Sequence, residues 1–320
     1  MKIADIGGEF ALIKRLTQKT YEDPVVVKGV GDDCAVLKYT DVSYLLVTVD
    51  MMVENDHFTL EWHSPYQIGY KLMEANVSDI IAMGGTPHWA FLSIALTPST
   101  EVEFMDEFYR GLYASAESHG VHLIGGDTTH GGIMVVNLAL LGAVEHDALR
   151  LRSMAIPGEL ICVTGTLGRS EAGLRLLKQG IRDSSVNAHL QPRCRRVWEG
   201  RIIARFCHAM IDVSDGLGSE VRHICEESGT GACIYWDKIP LTPETEAAAR
   251  KVSADAHDFA LYGGEDFELV FTIHPDSIEA LRDEFSEFTV VGEILPASEG
   301  IYLVRDGQRQ EVKKGFDHFA

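Results

Sequence analysis

The chain is poor in positive charge. Its 320 residues include 28 Lys and Arg against 48 Asp and Glu, which gives a formal net charge of −20. Proteins bind nucleic acid mainly by neutralising phosphates with Lys and Arg, and anionic membrane surfaces attract basic segments in the same way. The charge balance therefore disfavours nucleic acid and membranes as partners. It predicts a solvated acidic exterior that aids solubility.

Long hydrophobic runs are also missing. No apolar run reaches the roughly 18 residues that a membrane-spanning helix requires. The first ten residues, MKIADIGGEF, lack the apolar stretch of a signal peptide. Together these features predict a cytoplasmic protein.

Several common functional motifs do not occur. The six cysteines form no C-x-x-C pair, and the thirteen histidines show no H-E-x-x-H spacing. There is no G-x-x-x-x-G-K-[ST] phosphate loop, and no H-R-D or D-F-G signature of a protein kinase. Zinc sites, redox pairs and both of these nucleotide-binding architectures are unsupported. The cysteines are expected to be reduced and mostly buried.

Aspartates at apolar segments are the main positive signal. They are Asp32 and Asp33 in GVGDDCAVL, Asp50 in YLLVTVD, Asp79 in NVSDIIAMGG, Asp127 in LIGGDT, and Asp212 and Asp215 in MIDVSDG. A buried carboxylate is costly unless a cation compensates it, and these segments contain no matching set of Lys or Arg. Mg²⁺ takes oxygen ligands and typically binds carboxylates together with substrate phosphates. The pattern indicates a Mg-dependent enzyme that acts on phosphates.

Each of these segments also has an ordinary structural interpretation. Asp32 and its neighbour follow a Gly-x-Gly turn and fit an Asp-rich turn or a helix N-cap. Asp50 and Asp127 follow apolar strands and fit turn or cap positions. In MIDVSDG, a solvent-facing aspartate followed by an N-cap is the ordinary interpretation. The coincidence of five such segments in one chain favours a shared site over five separate caps.

Asp79 carries the sharpest local argument. Ile68, Leu72, Asn76, Asp79 and Met83 fall on one helical face at three- and four-residue spacing, and the other faces are apolar too. A helix that is apolar nearly all round is buried. The Asp79 carboxylate is then either part of a site or hydrogen-bonded to backbone or Asn76.

Three weaker candidates remain open. GTLGRS (residues 165–170) resembles a phosphate-binding turn before a helix, although a structural turn is the preferred interpretation. In GGEDFEL, Glu265 and Asp266 are either an acidic substrate contact or a turn before a strand. His57, in NDHF, either reaches a phosphate or is structural.

Hydrophobic periodicity predicts mixed α/β architecture in both halves. The predicted strands are 44–49, 88–97, 121–125, 133–144, 159–165, 209–213, 232–236, 267–273, 288–294 and 301–305. The predicted helices are 66–84, 100–119, 169–179, 197–207, 217–228, 242–251 and 276–286, with an irregular charged connection over 180–196. The polar and basic segment 146–158, which ends in Pro-Gly, predicts two domains, 1–147 and 148–320.

Taken in order, these segments resemble the thiamine-monophosphate kinases of the aminoimidazole-ribonucleotide-synthetase-like superfamily. The resemblance covers nearly the whole chain. It is carried by GEFALI (8–13), GVGDDCAVL, TVDMMVENDHF, NVSDIIAMGGTPHW, LIGGDTT, VTGTLGRSEAGL, IDVSDGL, GGEDFEL and GFDHF (315–319). NDHF, GGEDFEL and GFDHF are more particular to this kinase than the aspartate motifs are.

The resemblance implies a two-domain fold and a homodimer in which the N-terminal domains pair through their sheets. The N-terminal domain would bind ATP and Mg²⁺, and the C-terminal domain would complete the active site. It implies ATP as co-substrate, several Mg²⁺ ions, and transfer of the γ-phosphoryl group to thiamine monophosphate. The products would be ADP and thiamine diphosphate, in the last step of thiamine diphosphate biosynthesis.

The resemblance also implies roles for individual residues. The Mg²⁺ ligands would be Asp33, Thr48, Asp50, Asp79, Asp127, Asp212 and Asp215, with Asp32 a plausible addition; Asp50, Asp79 and Asp127 would be central to the transfer. ATP would contact Tyr109, Gly126, Asp127, Arg152 and Ser214. Thiamine monophosphate would contact His57, Glu265 and Phe316, with Phe316 stacking on a ring and Glu265 complementing the positive charge. Val49 and His130 depart from the family pattern, and they put one side-chain ligand and one phosphate contact in doubt.

The chemistry is consistent with a site that lacks a dedicated base. The nucleophile is a phosphate oxygen whose second pKa is about 6, so it is largely ionised at neutral pH. Catalysis then consists of positioning and charge neutralisation in an in-line displacement. Two alternatives stay open: an ATP-dependent ligase of the same superfamily, which releases phosphate as well as ADP, and a non-catalytic sensor of Mg-nucleotide.

Overall fold

The computed structural model describes residues 2–6, 8–18, 23–313 and 315. The strands are β1 Val26–Lys28, β2 Ala35–Lys38, β3 Ser43–Val53, β4 Thr86–Leu96, β5 His122–His130, β6 Val135–Glu145, β7 Leu160–Thr164, β8 Cys207–Asp212, β9 Thr230–Tyr235, β10 Leu269–Ile273, β11 Phe288–Pro296, β12 Ile301–Arg305 and β13 Gln308–Glu311. The α-helices are α1 Glu9–Leu16, α2 Pro65–Ala82, α3 Val102–His119, α4 Arg169–Lys178, α5 Asn187–Leu190, α6 Val197–Ala204, α7 Leu217–Ser228, α8 Pro243–Lys251, α9 Ala256–Tyr262 and α10 Ile278–Glu284. Over these ranges, no helix combines the length and the apolar composition needed to cross a bilayer.

The first sheet has six strands in the order β1-β2-β3-β6-β4-β5. Only its β4–β5 pair is parallel, and β3 pairs with β6 over its full length. Side chains of a strand alternate between the two faces of a sheet. On β3, Leu46, Thr48 and Met52 are buried, whereas Val49 and Met51 are exposed. One face of this sheet therefore lies against the core and the other faces outwards.

Local sequence explains where α2 begins. Ser64 Oγ accepts a hydrogen bond from the Gln67 backbone N–H, and the Ser64 backbone N–H donates to the Gln67 side-chain oxygen, which together form a capping box. Pro65 occupies the first helical position. The helix is buried on nearly all sides, with Asn76 fully inaccessible. The prediction of a buried helix from its all-round apolar pattern is confirmed.

Glycines let α2 approach α3 closely. A Cβ on Gly69 would lie 2.1 Å from the Phe108 carbonyl oxygen, and a Cβ on Gly111 would lie 1.9 Å from the Tyr66 carbonyl oxygen. Backbone atoms cannot move aside as the end of a flexible side chain can. The two helices that cover the first sheet therefore depend on glycine at their contact.

We expect Gly111→Ala to lower the free energy of unfolding by about 3 kcal/mol, because overpacking against backbone forces the helices apart. Urea unfolding of the purified variant measures this change. Gly132→Ala is the control, since a Cβ there meets nothing within 4 Å. Equal stability of the two variants would contradict the close helix contact.

The second sheet has seven strands in the order β13-β12-β9-β11-β7-β10-β8. Its neighbours are antiparallel except for β12 and β9. Strands β7, β8 and β10, with α7, supply a core of apolar side chains that includes Ile161, Ile211, Val221 and Val270. The turn after β8 leads directly into α7, which places the MIDVSDG segment at the edge of this layer.

The mixed α/β prediction is confirmed, and each predicted strand and helix has a counterpart. Short elements were missed: α1, β1, β2, α9 and β13, together with α5 inside the connection 180–196. Each of these elements has three to eight residues, which are too few positions to show a clear period. The first sheet uses residues within 26–145 and the second uses residues within 160–311. One hydrophobic core cluster nevertheless crosses this division, because it includes Val77 from the first half of the chain together with Cys162 and Phe271 from the second half. The domain boundary stays a prediction.

Candidate active site

A cavity of about 680 Å³ lies between the two halves of the chain. This size is within the range of small-molecule sites. Its lining includes predicted metal, nucleotide and acceptor residues: Asp50, Asp79, Asp212, Ser214, Asp215, His57 and Glu265. Residues far apart in sequence thus converge on one space.

Three aspartates form the centre of this site. Carboxylate oxygens of Asp33, Asp79 and Asp212 all lie within 4.8 Å of one another. Thr48 Oγ1 donates to Asp79 Oδ2 at 2.5 Å, and Ser78 Oγ donates to Asp212 Oδ2 at 2.5 Å. These contacts replace the Asn76–Asp79 hydrogen bond that was considered from sequence, because the Asn76 amide donates to the Leu72 carbonyl instead.

Burial and mutual repulsion raise the pKa values of these carboxyl groups. Burial, then the Asp33 charge, raises the pKa of Asp212 to about 8 and that of Asp50 to about 6. Burial also holds the pKa of Asp79 well above its usual value, with Asp50 and Asp212 adding to the effect. The protein alone therefore compensates this charge only in part, and bound cations would relieve the rest.

The donor set fits Mg²⁺. All ligand atoms are oxygens, which hard cations prefer. Among the described residues, Asp33 Oδ2 is buried without a hydrogen-bond partner. A buried acceptor of this kind calls for an ion or water.

Arg152 contributes a cation that the aspartate segments do not contain. Its guanidinium group forms an ion pair with Asp33, and its backbone N–H donates to Asp32 Oδ2 at 3.2 Å. Burial and the Asp33 charge nevertheless raise the pKa of Asp32 to about 7. The predicted contact between Arg152 and ATP stays a prediction, since the structure shows Arg152 on the aspartates.

Asp127 lies outside the central cluster. It is exposed on β5, where its Oδ1 accepts from the Thr128 backbone N–H at 2.9 Å. Asp127 on β5 pairs with Ser93 on β4, and Ser93 pairs with Asn137 on β6. Asn137 in turn pairs with Met51 on β3, the residue that follows Asp50. Three strand spacings separate the ends of this row by about 14 Å. One ion cannot bind Asp50 and Asp127 together, and the metal role of Asp127 stays a prediction.

Gly126 precedes Asp127 on β5, and Tyr109 lies on α3. A Cβ on Gly126 would lie 1.8 Å from the Leu92 carbonyl oxygen, so only glycine allows β5 to approach β4 there. Tyr109 is half-buried on α3, between the rings of Phe108 and Tyr113. Their predicted ATP contacts are not tested by the structure.

Glu265, a predicted acceptor contact, lines the cavity and has two ion-pair partners. Its Oε1 lies 2.5 Å from Lys71 Nζ, and its Oε2 lies 3.2 Å from His189 Nδ1. Burial by itself would raise the pKa of Glu265, but Lys71 and His189 outweigh it and hold that pKa below its usual value. His57 lines the same cavity. Phe316, the third predicted acceptor contact, lies outside the described residues.

The GTLGRS turn is structural. The carboxylate of Asp266 accepts from the backbone N–H groups of Gly168 at 2.5 Å and Ser170 at 3.1 Å. These groups open α4 and would otherwise be free for an anion. An internal carboxylate therefore occupies the position that a phosphate would take, and within GGEDFEL only Glu265 has its carboxylate at the main cavity.

Three site residues were missed in the sequence. Lys71 lies in the buried helix α2, His189 lies in the short α5, and Glu220 lies on α7. Glu220 Oε1 accepts from the Asp215 backbone N–H at 2.8 Å. Charged residues on buried helical faces were the available signal for Lys71 and Glu220. His189 had none, because its segment has no period.

The six cysteines are all free and buried, as expected. Burial raises the pKa of the Cys194 thiol well above its usual value. These thiols are therefore protonated and serve as small apolar residues.

Known proteins resemble this chain over nearly its full length. The model of the AIR synthase related protein N-terminal domain matches residues 31–144, and that of the C-terminal domain matches residues 157–304. The thiamine-monophosphate kinase of Buchnera aphidicola subsp. Acyrthosiphon pisum is 37% identical over 325 residues, which covers 97% of this chain and 98% of that protein. The thiamine-monophosphate kinase of Escherichia coli (strain K12) is 35% identical over 327 residues, which covers 98% of each chain.

A solved structure is similar to this chain over the same length. AaThiL complexed with AMPPCP and TMP superposes with a TM-score of 0.87 at 32% sequence identity. The match covers 100% of this chain and 99% of that one. The similarity therefore extends over both sheets and the cavity between them.

Proposed function

The chain belongs to the thiamine-monophosphate kinase family of AIR synthase related proteins, and we propose on this basis that it transfers the γ-phosphoryl group of ATP to thiamine monophosphate. The products are thiamine diphosphate and ADP. The structural relative complexed with AMPPCP and TMP supports a nucleotide and a phosphorylated acceptor as the two substrates.

One observation carries the proposal beyond family membership. A single cavity is lined both by Asp50, Asp79 and Asp212 and by His57 and Glu265. The first group suits metal-bound phosphates, and the second suits an acceptor with a cationic ring. A kinase must bring its phosphoryl donor and acceptor together in this way.

Mg²⁺ is part of the proposal. Asp33, Asp50, Asp79 and Asp212 would hold the ions, with Thr48 and Asp215 beside them. When bound, Mg²⁺ supplies positive charge that lowers the repulsion between the two anionic phosphates. Within the protein, Thr48 and Ser78 orient the carboxylates of Asp79 and Asp212 through their hydroxyl groups.

The reaction requires no general base. The attacking phosphate oxygen is largely ionised at neutral pH, since its second pKa is about 6. The side chains around the cavity therefore act by binding, orienting and excluding water. ATP contacts at Tyr109, Gly126, Asp127, Arg152 and Ser214 remain part of the proposal; of these, Ser214 lines the cavity.

We further propose a homodimer that forms through the uncovered face of the first sheet. Val49, Met51, Phe91 and Ile124 are large apolar residues on this sheet, each with between 39% and 58% of its surface exposed. Apolar side chains grouped on one sheet mark an interaction surface. Light scattering of the purified protein tests the assembly, and a monomeric mass would contradict it. The cytoplasmic location stays a prediction.

The test of function is incubation of the purified protein with ATP, Mg²⁺ and thiamine monophosphate, followed by chromatography of all products. We expect equal amounts of thiamine diphosphate and ADP, and neither in the presence of a chelator. ADP and free phosphate without thiamine diphosphate would instead favour the ligase chemistry. Nucleotide binding without turnover would favour the sensor.

A further inference from the structure

Lys71 joins the two described residues that are predicted to contact the acceptor. Its side chain lies in α2 and is only 1% exposed. Its Nζ lies 2.5 Å from Glu265 Oε1 and donates to the His57 backbone oxygen at 3.1 Å. A buried ammonium group is costly without such partners. One cation thus links α2, the segment after β3 and the loop before β10.

Among the described residues, the second ion-pair partner of Glu265 is a histidine. Oε2 faces His189, whose ring packs edge-on against His63 with 5.4 Å between centroids. Burial, followed by the Lys71 charge, lowers the pKa of His189 and lowers that of His63 to about 3. Both rings are therefore neutral at pH 7. In the described part of the chain, Lys71 is the permanently charged partner that keeps Glu265 ionised.

The backbone at Glu265 has an unfavourable conformation that surrounding contacts must stabilise. Its φ is 64°, and that of Phe267 is 51°, both in the left-handed region that non-glycine residues rarely adopt. Such a conformation persists only when surrounding contacts hold it. Here the Glu265 N–H donates to the Ser214 oxygen at 2.9 Å, and the side chain is tied to Lys71.

We propose that Lys71 is a positioning residue for the acceptor substrate. It fixes the carboxylate of Glu265 and the backbone of His57 so that a cationic, phosphorylated acceptor binds in one orientation. The inference rests on the proposed function, since these two residues are acceptor contacts only in that reaction. Because both contacts of Lys71 are on the acceptor side, its loss affects acceptor binding more than ATP binding.

Three variants test the role of the charge. Lys71→Met keeps an unbranched apolar stem and removes the ammonium group. The double variant Lys71→Met with Glu265→Gln removes both charges, so neither is left buried alone. Lys71→Arg keeps the positive charge. Lys251→Met is the matched control, because it removes a lysine–carboxylate pair with Asp183 on the surface.

The measurements are KM for thiamine monophosphate, KM for ATP and kcat, with thermal unfolding as the check of folding. We expect Lys71→Met to raise KM for thiamine monophosphate by at least about tenfold, with KM for ATP within about twofold of the wild type. The double variant recovers unfolding temperature but not acceptor affinity. Lys71→Arg recovers part of that affinity, and Lys251→Met matches the wild type.

Several results would overturn the inference. A folded Lys71→Met or double variant with wild-type KM for thiamine monophosphate removes the positioning role. Equal increases in both KM values, or a loss of kcat alone, would indicate a general structural effect. If Lys71→Met does not fold, the double variant and Lys71→Arg decide. A wild-type protein that makes no thiamine diphosphate overturns the proposed function itself, and this inference with it.

Discussion

Asp79→Asn is expected to lower kcat by about 100-fold or more and, in the presence of chelator, to raise the unfolding temperature. The loss of activity follows because one charge is removed from the group that would hold the metal ions. The gain in stability follows because Asp79 is half-buried beside Asp50 and Asp212, with its pKa raised by desolvation and by repulsion from these two carboxylates. An asparagine oxygen can still accept the hydrogen bond from Thr48.

Steady-state kinetics with saturating substrates measure the first effect, and calorimetry in EDTA measures the second. Each kcal/mol gained corresponds to a rise of about 2–4 °C. Asp237→Asn, at an exposed position, is the control for both. Near-normal turnover would remove Asp79 from the catalytic set. A lower unfolding temperature in chelator would contradict repulsion among the carboxylates.

In chelator, the free energy of unfolding is expected to fall between about pH 5 and pH 8, and Mg²⁺ is expected to restore it. An unfolded aspartate has a pKa of about 3.9. Burial, with the charges of neighbouring aspartates, raises the folded pKa to about 6 for Asp50, about 7 for Asp32 and about 8 for Asp212. These groups bind protons more tightly when folded. Their stabilising contribution is complete below the unfolded pKa and is lost as pH rises through the folded values.

The slope is about 1.4 kcal/mol per pH unit for each carboxylate that is protonated only in the folded state. The contribution of Glu265 to the pH dependence of stability has the opposite sign, because the pKa of Glu265 is lowered in the folded state. Its stabilising contribution is already complete above about pH 5, so it does not alter the slope between pH 5.5 and pH 8. Urea unfolding at pH 5.5 and pH 8, with EDTA and with Mg²⁺, measures the difference. A flat profile in EDTA, or equal stabilisation by Mg²⁺ at both pH values, would contradict the raised pKa values.

The sequence by itself determined the long elements and the identity of the central carboxylates. Hydrophobic period is a local property, so β3, α2 and β6 were predictable from their own residues. The position of Asp79 on a buried helix followed from the apolar faces of that helix. Elements of three or four residues, such as β1 and β2, were not predicted, because a segment that short does not show a hydrophobic period.

Only the tertiary structure decided which of these residues meet. Asp33, Asp79 and Asp212 converge because α2 packs between the first sheet and β8, which no local pattern encodes. The pairs of Arg152 with Asp33 and of Lys71 with Glu265 join positions 119 and 194 residues apart. Asp127 and Asp50 each follow an apolar run of the sequence, and the structure places both inside strands rather than after them. The strand order nevertheless puts Asp127 three strands away from Asp50. Sequence spacing sets the period along one element, whereas strand order and packing set the distances between elements, and those distances determine which charges share a site.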